Sequence, residues 1–427
     1  VDFDGGGIMK KKILLKAPIL TRSGYGEQSR FALRSLRSRE DLFDIYIQPL
    51  TWGSTSWIND ETEERTWIDA TIEKTIHHIQ TGGEFDVSLQ VSIPNEWQKI
   101  APVNIGYTAG IETTRVAHHW ISVAQEMNKL IVVSNHSKNV YKNTVYDAVN
   151  ENTGEKFSIR LEKDIDAVNY PVKAFDDLKP LELDLAYDFN FVCVAQLGPR
   201  KNLMNTIKWF VEEFKDEEVG LVLKTNLAKN CLMDREAVFN QLVGSLNSDF
   251  PDRKCKVYLL HGDMTDKEMH AIYLNPKIKA AVSLTHGEGF GLPLFEAAYM
   301  GTPVIAPGWS GQCDFLFDDK MKEKFYNVSF DILPIPENVI WENVLIKESA
   351  WCYPREASAK EAMRLCYNDI TTSNENSIAA SATVHAEFLK NNFSPEKMYS
   401  EFIEAMNVEQ EFNVEQWIDN LDIEEIE

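Results

Sequence analysis

Short apolar runs alternate with longer amphipathic stretches along most of this chain. Ile13-Leu-Leu-Lys-Ala-Pro18, Asp44-Ile-Tyr-Ile-Gln48, Asp86-Val-Ser-Leu-Gln-Val91 and Val103-Asn-Ile-Gly-Tyr107 read as buried strands. Leu130-Ile-Val-Val133 continues the series, with Ser134 placed to cap a following helix. A second series occupies residues 189–195, 220–224, 256–260, 280–284 and 304–306. Amphipathic helices are predicted after Thr21-Arg-Ser-Gly-Tyr-Gly26 and over residues 206–214, 356–389 and 398–406. Strands alternating with helices imply parallel sheets covered on both faces, and two series imply two α/β domains. The break falls in the charged stretch at residues 170–186. This gives domains at 9–175 and 176–395, a last helix at 396–407, and an acidic tail at 408–427. Residues 150–163 read as a polar, irregular surface insertion.

The segment Ala280-Ala-Val-Ser-Leu-Thr-His-Gly-Glu-Gly-Phe-Gly-Leu-Pro-Leu-Phe-Glu-Ala-Ala-Tyr-Met-Gly-Thr-Pro-Val-Ile-Ala-Pro307 carries the most chemistry. It reads as strand, glycine turn, short helix, strand. Pro293 suits the first turn of the helix, where its missing N–H costs nothing. Gly301 suits the left-handed position after its end. Gly289 and Gly291 allow the backbone to approach a ligand, and Phe290 and Leu292 lie between them and the helix start. Free N–H groups at a helix N-terminus favour a diphosphate. Glu296, acceptor-only when ionised, can take hydrogen bonds from a ribose diol, and Glu288 points to the sugar side.

These residues resemble a known family. Glu288 and Glu296 stand as Glu-x7-Glu, and Glu-Gly-Phe-Gly-Leu-Pro is the wording of the retaining glycosyltransferases grouped as family 4. The resemblance runs over most of the chain and is sharpest between Phe191 and Leu316. It implies a GT-B fold, in which two Rossmann-like domains face each other across a cleft. It also implies transfer, with retention, from a nucleoside-diphosphate sugar to an acceptor hydroxyl. By the same resemblance Lys201 matches the phosphate lysine. The arginine usual five residues earlier is Gln196 here, which leaves Arg200 as the second cation. Lys224, at a strand end, is a further candidate for the phosphates, and Gly24 and Gly26 form either a donor-facing loop or a plain tight turn. Glu112 and Arg115 fall on the acceptor side, with His118 as a candidate catalytic group or a structural histidine.

Composition narrows the partners. The net charge of −23 argues against broad adhesion to nucleic acid or anionic membrane. Eight acids and no base lie between Val408 and Glu427, so a local basic cleft stays open elsewhere. The resemblance implies as acceptor a surface or lipid-linked glycan or, from wording similar to phage and marine-microbial enzymes, a hydroxymethylated DNA base. A nucleotide-sugar epimerase and a catalytically silent sugar-binding protein are the rival readings. The six cysteines lack metal-type spacing and read as reduced core thiols of a cytoplasmic protein. Asp164-Ile-Asp166 reads as solvated acid in a linker, and no metal or cofactor is expected beyond the donor substrate. No signal peptide or membrane-spanning run is read from the sequence, and the oligomeric state is left open.

Overall fold

The computed structural model describes residues 9–149 and 153–408; the amino-terminal octet and residues 409–427 of the acidic tail lie outside the described residues. Two six-stranded parallel sheets form the two halves, so the expected pair of Rossmann-like α/β domains is observed. The first sheet uses β1 (Lys11–Ala17), β2 (Phe43–Pro49), β3 (Val87–Val91), β4 (Val103–Thr108) and β5 (Lys129–Val132). An antiparallel hairpin follows, β6 (Tyr146–Val149) with β7 (Lys156–Ile159), and then β8 (Ile165–Ala167) completes the sheet. The order β2-β1-β3-β4-β5-β8 switches direction between β1 and β3. The second sheet is built from β9 (Asn190–Val194), β10 (Gly220–Lys224), β11 (Lys256–Leu260), β12 (Ile278–Val282), β13 (Val304–Pro307) and β14 (Tyr326–Val328). Its order, β11-β10-β9-β12-β13-β14, is the 3-2-1-4-5-6 order of dinucleotide-binding folds, with the switch between β9 and β12. Ligands of such open sheets bind at the carboxyl ends beside the switch.

Helices cover both sheets. In the first half these are α1 (Gly24–Arg37), α2 (Glu63–Gln80), α3 (His118–Glu126) and α4 (Asn135–Asn143). The second half has α5 (Leu203–Phe214), α6 (Leu232–Asp249), α7 (Asp266–Tyr273), α8 (Leu292–Tyr299) and α9 (Cys313–Leu316). After the short antiparallel pair β15 (Phe330–Pro334) and β16 (Ala350–Pro354) come α10 (Glu356–Thr371), α11 (Ile378–Asn392) and α12 (Pro395–Met406). The last of these returns to the first half. Phe402 packs edge-on against Phe31 of α1 and Tyr107 of β4 at 5.3 and 4.9 Å. Rings of 0–1 % exposure at this seam bury enough apolar surface to hold the two halves together.

Several elements depart from the sequence reading. The supposed irregular insertion contains β7, paired with β6. The supposed linker acid Asp166 lies in β8, a three-residue edge strand whose Ile165 is buried while Asp166 is only half-buried. Residues 356–389 hold two helices, broken by a turn at residues 372–377. Helix α2 was not anticipated, because only Ile68, Thr71 and Thr75 are buried along its 18 residues. Cys231 is exposed at the start of α6, unlike the buried Cys193, Cys255, Cys352 and Cys366, and all six cysteines are free thiols. No helix among the described residues is long and apolar enough to cross a membrane.

Candidate functional site

The carboxyl end of β9 leads into Gly198 and one turn of 3-10 helix, Pro199–Lys201. Asn202 then takes a left-handed conformation, φ 52°, which turns the chain into α5. Asparagine tolerates that region because its short amide finds local partners, here the Leu284 carbonyl at 2.9 Å. The His286 N–H donates to the Arg200 carbonyl at 2.8 Å. Two neighbouring strand ends, after β9 and after β12, are thereby stitched together, and the Arg200–Lys201 pair faces the glycine turn.

Glu288 receives both cations. Lys201 Nζ lies 2.7 and 2.8 Å from its two carboxylate oxygens, and Arg200 Nη1 lies 3.2 Å from one of them. Burial would raise the Glu288 pKa, but the charges of Lys201 and Arg200 outweigh it and hold the carboxyl at about 2. Burial lowers the Lys201 pKa against the pull of Glu288. The Arg200 pKa is raised: burial opposes the charge, and Glu112 and Glu288 favour it more strongly. At neutral pH Glu288 and Arg200 are therefore ionised, while at Lys201 burial works against the charge that Glu288 favours. The turn Gly308-Trp-Ser-Gly-Gln312 seats this loop: Ser310 Oγ accepts the Glu288 N–H at 2.9 Å, and the Gly311 N–H donates to the Glu288 carbonyl at 2.9 Å.

The first half closes over this network. Arg200 Nη2 meets Glu112 Oε1 at 3.2 Å, an ion pair across the cleft. A Cβ added at Gly287 would stand 2.4 Å from the Glu112 carbonyl oxygen, and one at Gly289 would stand 2.9 Å from that of Ala109. These two glycines let the edges of the two domains meet backbone to backbone. Gly291, at φ 100°, is the N-cap of α8, with Pro293 in the first turn, and Gly301 ends it at φ 81°. The Leu294 and Phe295 N–H groups are already bonded to the Gly291 carbonyl at 3.0 Å. Phe290 is 3 % exposed among Tyr170, Phe295 and Phe315, so its ring belongs to the core and only its backbone faces the turn. Leu292 is half-buried beside it.

Glu296 lies in a different group. Lys173, in the segment joining the halves, bridges Glu27 of α1 and Asp266 of α7 at 2.8 Å each. Glu296 faces this trio. Its burial, together with the charges of Asp266 and Glu27 and against the pull of Lys173, raises its pKa to about 8. A neutral carboxyl both donates and accepts, so this side chain is not limited to accepting.

The remaining predicted residues are spread more widely. Lys224 donates to the Gly262 carbonyl, and burial lowers its pKa. Gly26 serves the turn that starts α1, because a Cβ there would fall 2.0 Å from the Thr21 carbonyl oxygen, whereas Gly24 has open space. Arg115 lies over the Tyr146 ring at 4.2 Å and donates to the Val145 carbonyl. His118 is exposed at the start of α3, edge-on to the same ring at 5.6 Å. Both are tied to the hairpin rather than to Glu288. Gln196 donates to the Leu227 carbonyl, away from the triad.

The sequence reading missed Lys173 and the strap at residues 330–354. The strap crosses to the first half: the Thr114 N–H donates to the Ala350 carbonyl at 2.9 Å, and the Ala350 N–H donates to Thr114 Oγ1 at 3.0 Å. Val344 sits in the apolar cluster around Trp97 and Trp120. Trp351 stacks on His286, two residues before Glu288, at 4.8 Å and 6°. Its strands of five residues have too little periodicity to identify their partners in advance.

Neither a protein-family model nor a curated protein sequence matches the chain. Solved structures do. A glycosyltransferase from Rickettsia africae aligns over 95 % of this chain and 99 % of its own, with TM-score 0.59 and 13 % identity. Sucrose-phosphate synthase from Thermosynechococcus elongatus aligns over 94 % and 99 %, with TM-score 0.58 and 11 % identity. Anabaena HepE, in a structure with UDP and glucose, aligns over 93 % and 99 %, with TM-score 0.55 and 12 % identity. At such identities the likeness is one of architecture: this chain shares with them the two-domain GT-B fold.

Proposed function

We propose that the protein transfers a sugar from a nucleoside-diphosphate donor to an acceptor hydroxyl, with retention of anomeric configuration. On this reading residues 176–395 hold the donor, residues 9–175 present the acceptor, and the helix at 396–407 ties the two together. The observation that carries the reading is the buried Glu288 carboxylate, 8 % exposed, gripped by Lys201 and Arg200 at the carboxyl edge of the second sheet and facing Glu112 across the cleft. Departure of the diphosphate develops negative charge on its β-phosphate. Lys201 and Arg200 supply preorganised positive charge for it in a site sheltered from water. Glu288 orients the sugar hydroxyls and favours the cationic character that develops at the anomeric carbon. Glu296 anchors the ribose, while Gly289, Gly291 and Leu292 bring backbone to the phosphates. With these cations bearing the leaving-group charge, the proposed reaction requires no metal. The six free thiols fit a reducing, cytoplasmic setting.

The bound UDP in HepE makes uridine the first donor base to try. The purified protein is incubated with UDP-, GDP- and ADP-sugars, and diphosphate release is followed with and without cell-extract acceptors. One donor turning over, with the anomer retained by NMR, supports the reading. Donor consumed with no glycoside formed would indicate epimerisation, and binding without turnover would indicate a silent protein.

A further inference from the structure

We propose that Tyr25, Trp52 and Trp57 form the acceptor subsite, an aromatic platform at the carboxyl edge of the first sheet that takes a neutral sugar ring. The proposal rests on the glycosyl-transfer reading above and names the acceptor class for it. The loops after β1 and β2 run side by side. The Arg22 N–H donates to the Ser56 carbonyl and the Ile58 N–H to the Leu20 carbonyl, each at 2.8 Å, with Thr21 bridged to Trp57 between them. Tyr25 and Trp52 have ring centroids 4.2 Å apart. Trp57, the partner of Thr21 in that bridge, is 47 % exposed, which leaves indole surface open to a ligand.

The platform connects to the charged network. Tyr25 Oη is hydrogen-bonded to Thr108 Oγ1 at 2.8 Å, at the end of β4, and accepts the Ala109 N–H at 3.3 Å. Burial and the nearby charges of Glu112 and Glu96 push its pKa well above the ordinary range. Glu112 in turn holds Arg200, which holds Glu288. A pyranose has an apolar C–H face and a rim of hydroxyls. Aromatic faces flanked by a few fixed polar groups match that pattern.

A flipped DNA base would also stack on such rings, but the charges select against it. Binding a polyanion relies on cations free to replace its counterions. Arg22 is held by Asp60 at 3.0 Å, Asp263 at 3.8 Å and the Met264 carbonyl at 3.1 Å. Lys16 is turned to the Glu96 carbonyl and Gln98, and Arg115 to Tyr146. Asp60 and Asp263 occupy Arg22 instead, and the charges nearest Tyr25 are those of Glu112 and Glu96.

The test uses the full-length protein, with UDP affinity read by calorimetry as a separate arm. A panel of neutral oligosaccharides (maltotriose, cellobiose, lactose and chitobiose) is titrated against tryptophan emission and saturation-transfer NMR. We expect binding of at least one member, lost by about tenfold or more in Trp57→Ala and largely kept in Trp57→Phe, while UDP affinity stays at its wild-type value. Because Trp57 is half exposed, its substitution leaves the core intact; Trp52→Phe provides the second variant. Oligosaccharide binding unchanged in Trp57→Ala, or absent throughout the panel, overturns the platform. Salt-sensitive binding of a short hydroxymethylcytosine duplex in place of the sugars overturns it as well. Loss of UDP binding by the wild type would instead count against the donor reading, so the two failures are told apart.

Discussion

Glu112 of the first domain and Arg200 of the second lie 3.2 Å apart across the cleft, and the same guanidinium also reaches Glu288 at 3.2 Å. One cation therefore joins an acceptor-side acid to a donor-side acid. A diphosphate entering the cleft competes with both carboxylates for it. Removing the Glu112 charge should free part of Arg200 for the incoming phosphate. Glu112→Gln is expected to bind nucleoside diphosphate several-fold more tightly by calorimetry. Because these side chains are about a quarter exposed, stability should change by less than about 1 kcal/mol. Weaker binding would show that Glu112 holds Arg200 in its productive orientation.

Lys201 and Glu288 make the tightest contact of the network, with both carboxylate oxygens within 2.8 Å of one ammonium. Lys201→Ala leaves a buried carboxylate with only Arg200 to compensate it. We expect a loss of about 3 kcal/mol in denaturant melts and a fall in donor turnover of about 10²–10³-fold. Pairing Lys201→Met with Glu288→Gln removes both charges and should recover most of the stability, with turnover still lost. Activity in that double variant would dismiss the pair from the chemistry.

Glu296 yields a pH dependence of the opposite kind to a salt-bridged acid. Its folded-state pKa of about 8 lies above the ordinary 4.5, so between those values the folded chain holds a proton that the unfolded chain has released. Stability should therefore fall as pH rises from 4.5 to 8 and level off beyond. The surrounding groups are Lys173, Asp266 and Glu27, with Tyr273 beside them. Glu296→Gln removes the proton exchange and should flatten that limb, melting higher than wild type at pH 8.5 and equally at pH 4.5. Parallel melting curves for the two proteins would place the carboxylate in water.

Gly287 bears on domain closure. A Cβ there meets the Glu112 carbonyl oxygen at 2.4 Å and the Trp309 ring at 2.8 Å, so the facing backbone and a bulky ring must both move. Gly287→Ala should push the edges apart, seen as a larger radius of gyration in small-angle scattering and a sharp drop in turnover. An unchanged scattering profile would mean that the contact relaxes locally.

Much of the site could be read in advance, for identifiable reasons. The glycine turn, Pro293 and Gly301 are local signals, since each residue is suited to one backbone conformation whatever its surroundings. The Arg200–Lys201 pair is legible because it precedes a helix start and because Lys201 matches the lysine of the resembled family. Lys173 and Trp57 gave no such signal. A lysine in a charged linker and a tryptophan in a loop look the same whether they face solvent or a cleft. His118 and Arg115 sit after the right strand, but the hairpin at Tyr146 claims them, and that hairpin spans a stretch whose composition reads as irregular.

By itself the chain's pattern of apolar runs, amphipathic stretches and glycines determined two parallel α/β halves and the loop that carries Glu288, because these follow from periodicity and backbone preference within a few residues. Only the tertiary structure decided which charges meet. Glu112 and Arg200 are distant in sequence, as are Glu27, Lys173 and Asp266, and their pairing depends on how two separately folded sheets and the returning α12 pack together. The pKa values of Glu288 and Glu296 separate for the same reason. Both are glutamates at the edge of one cleft, but the fold gives the first two cations at contact and surrounds the second mainly with buried surface and other acids.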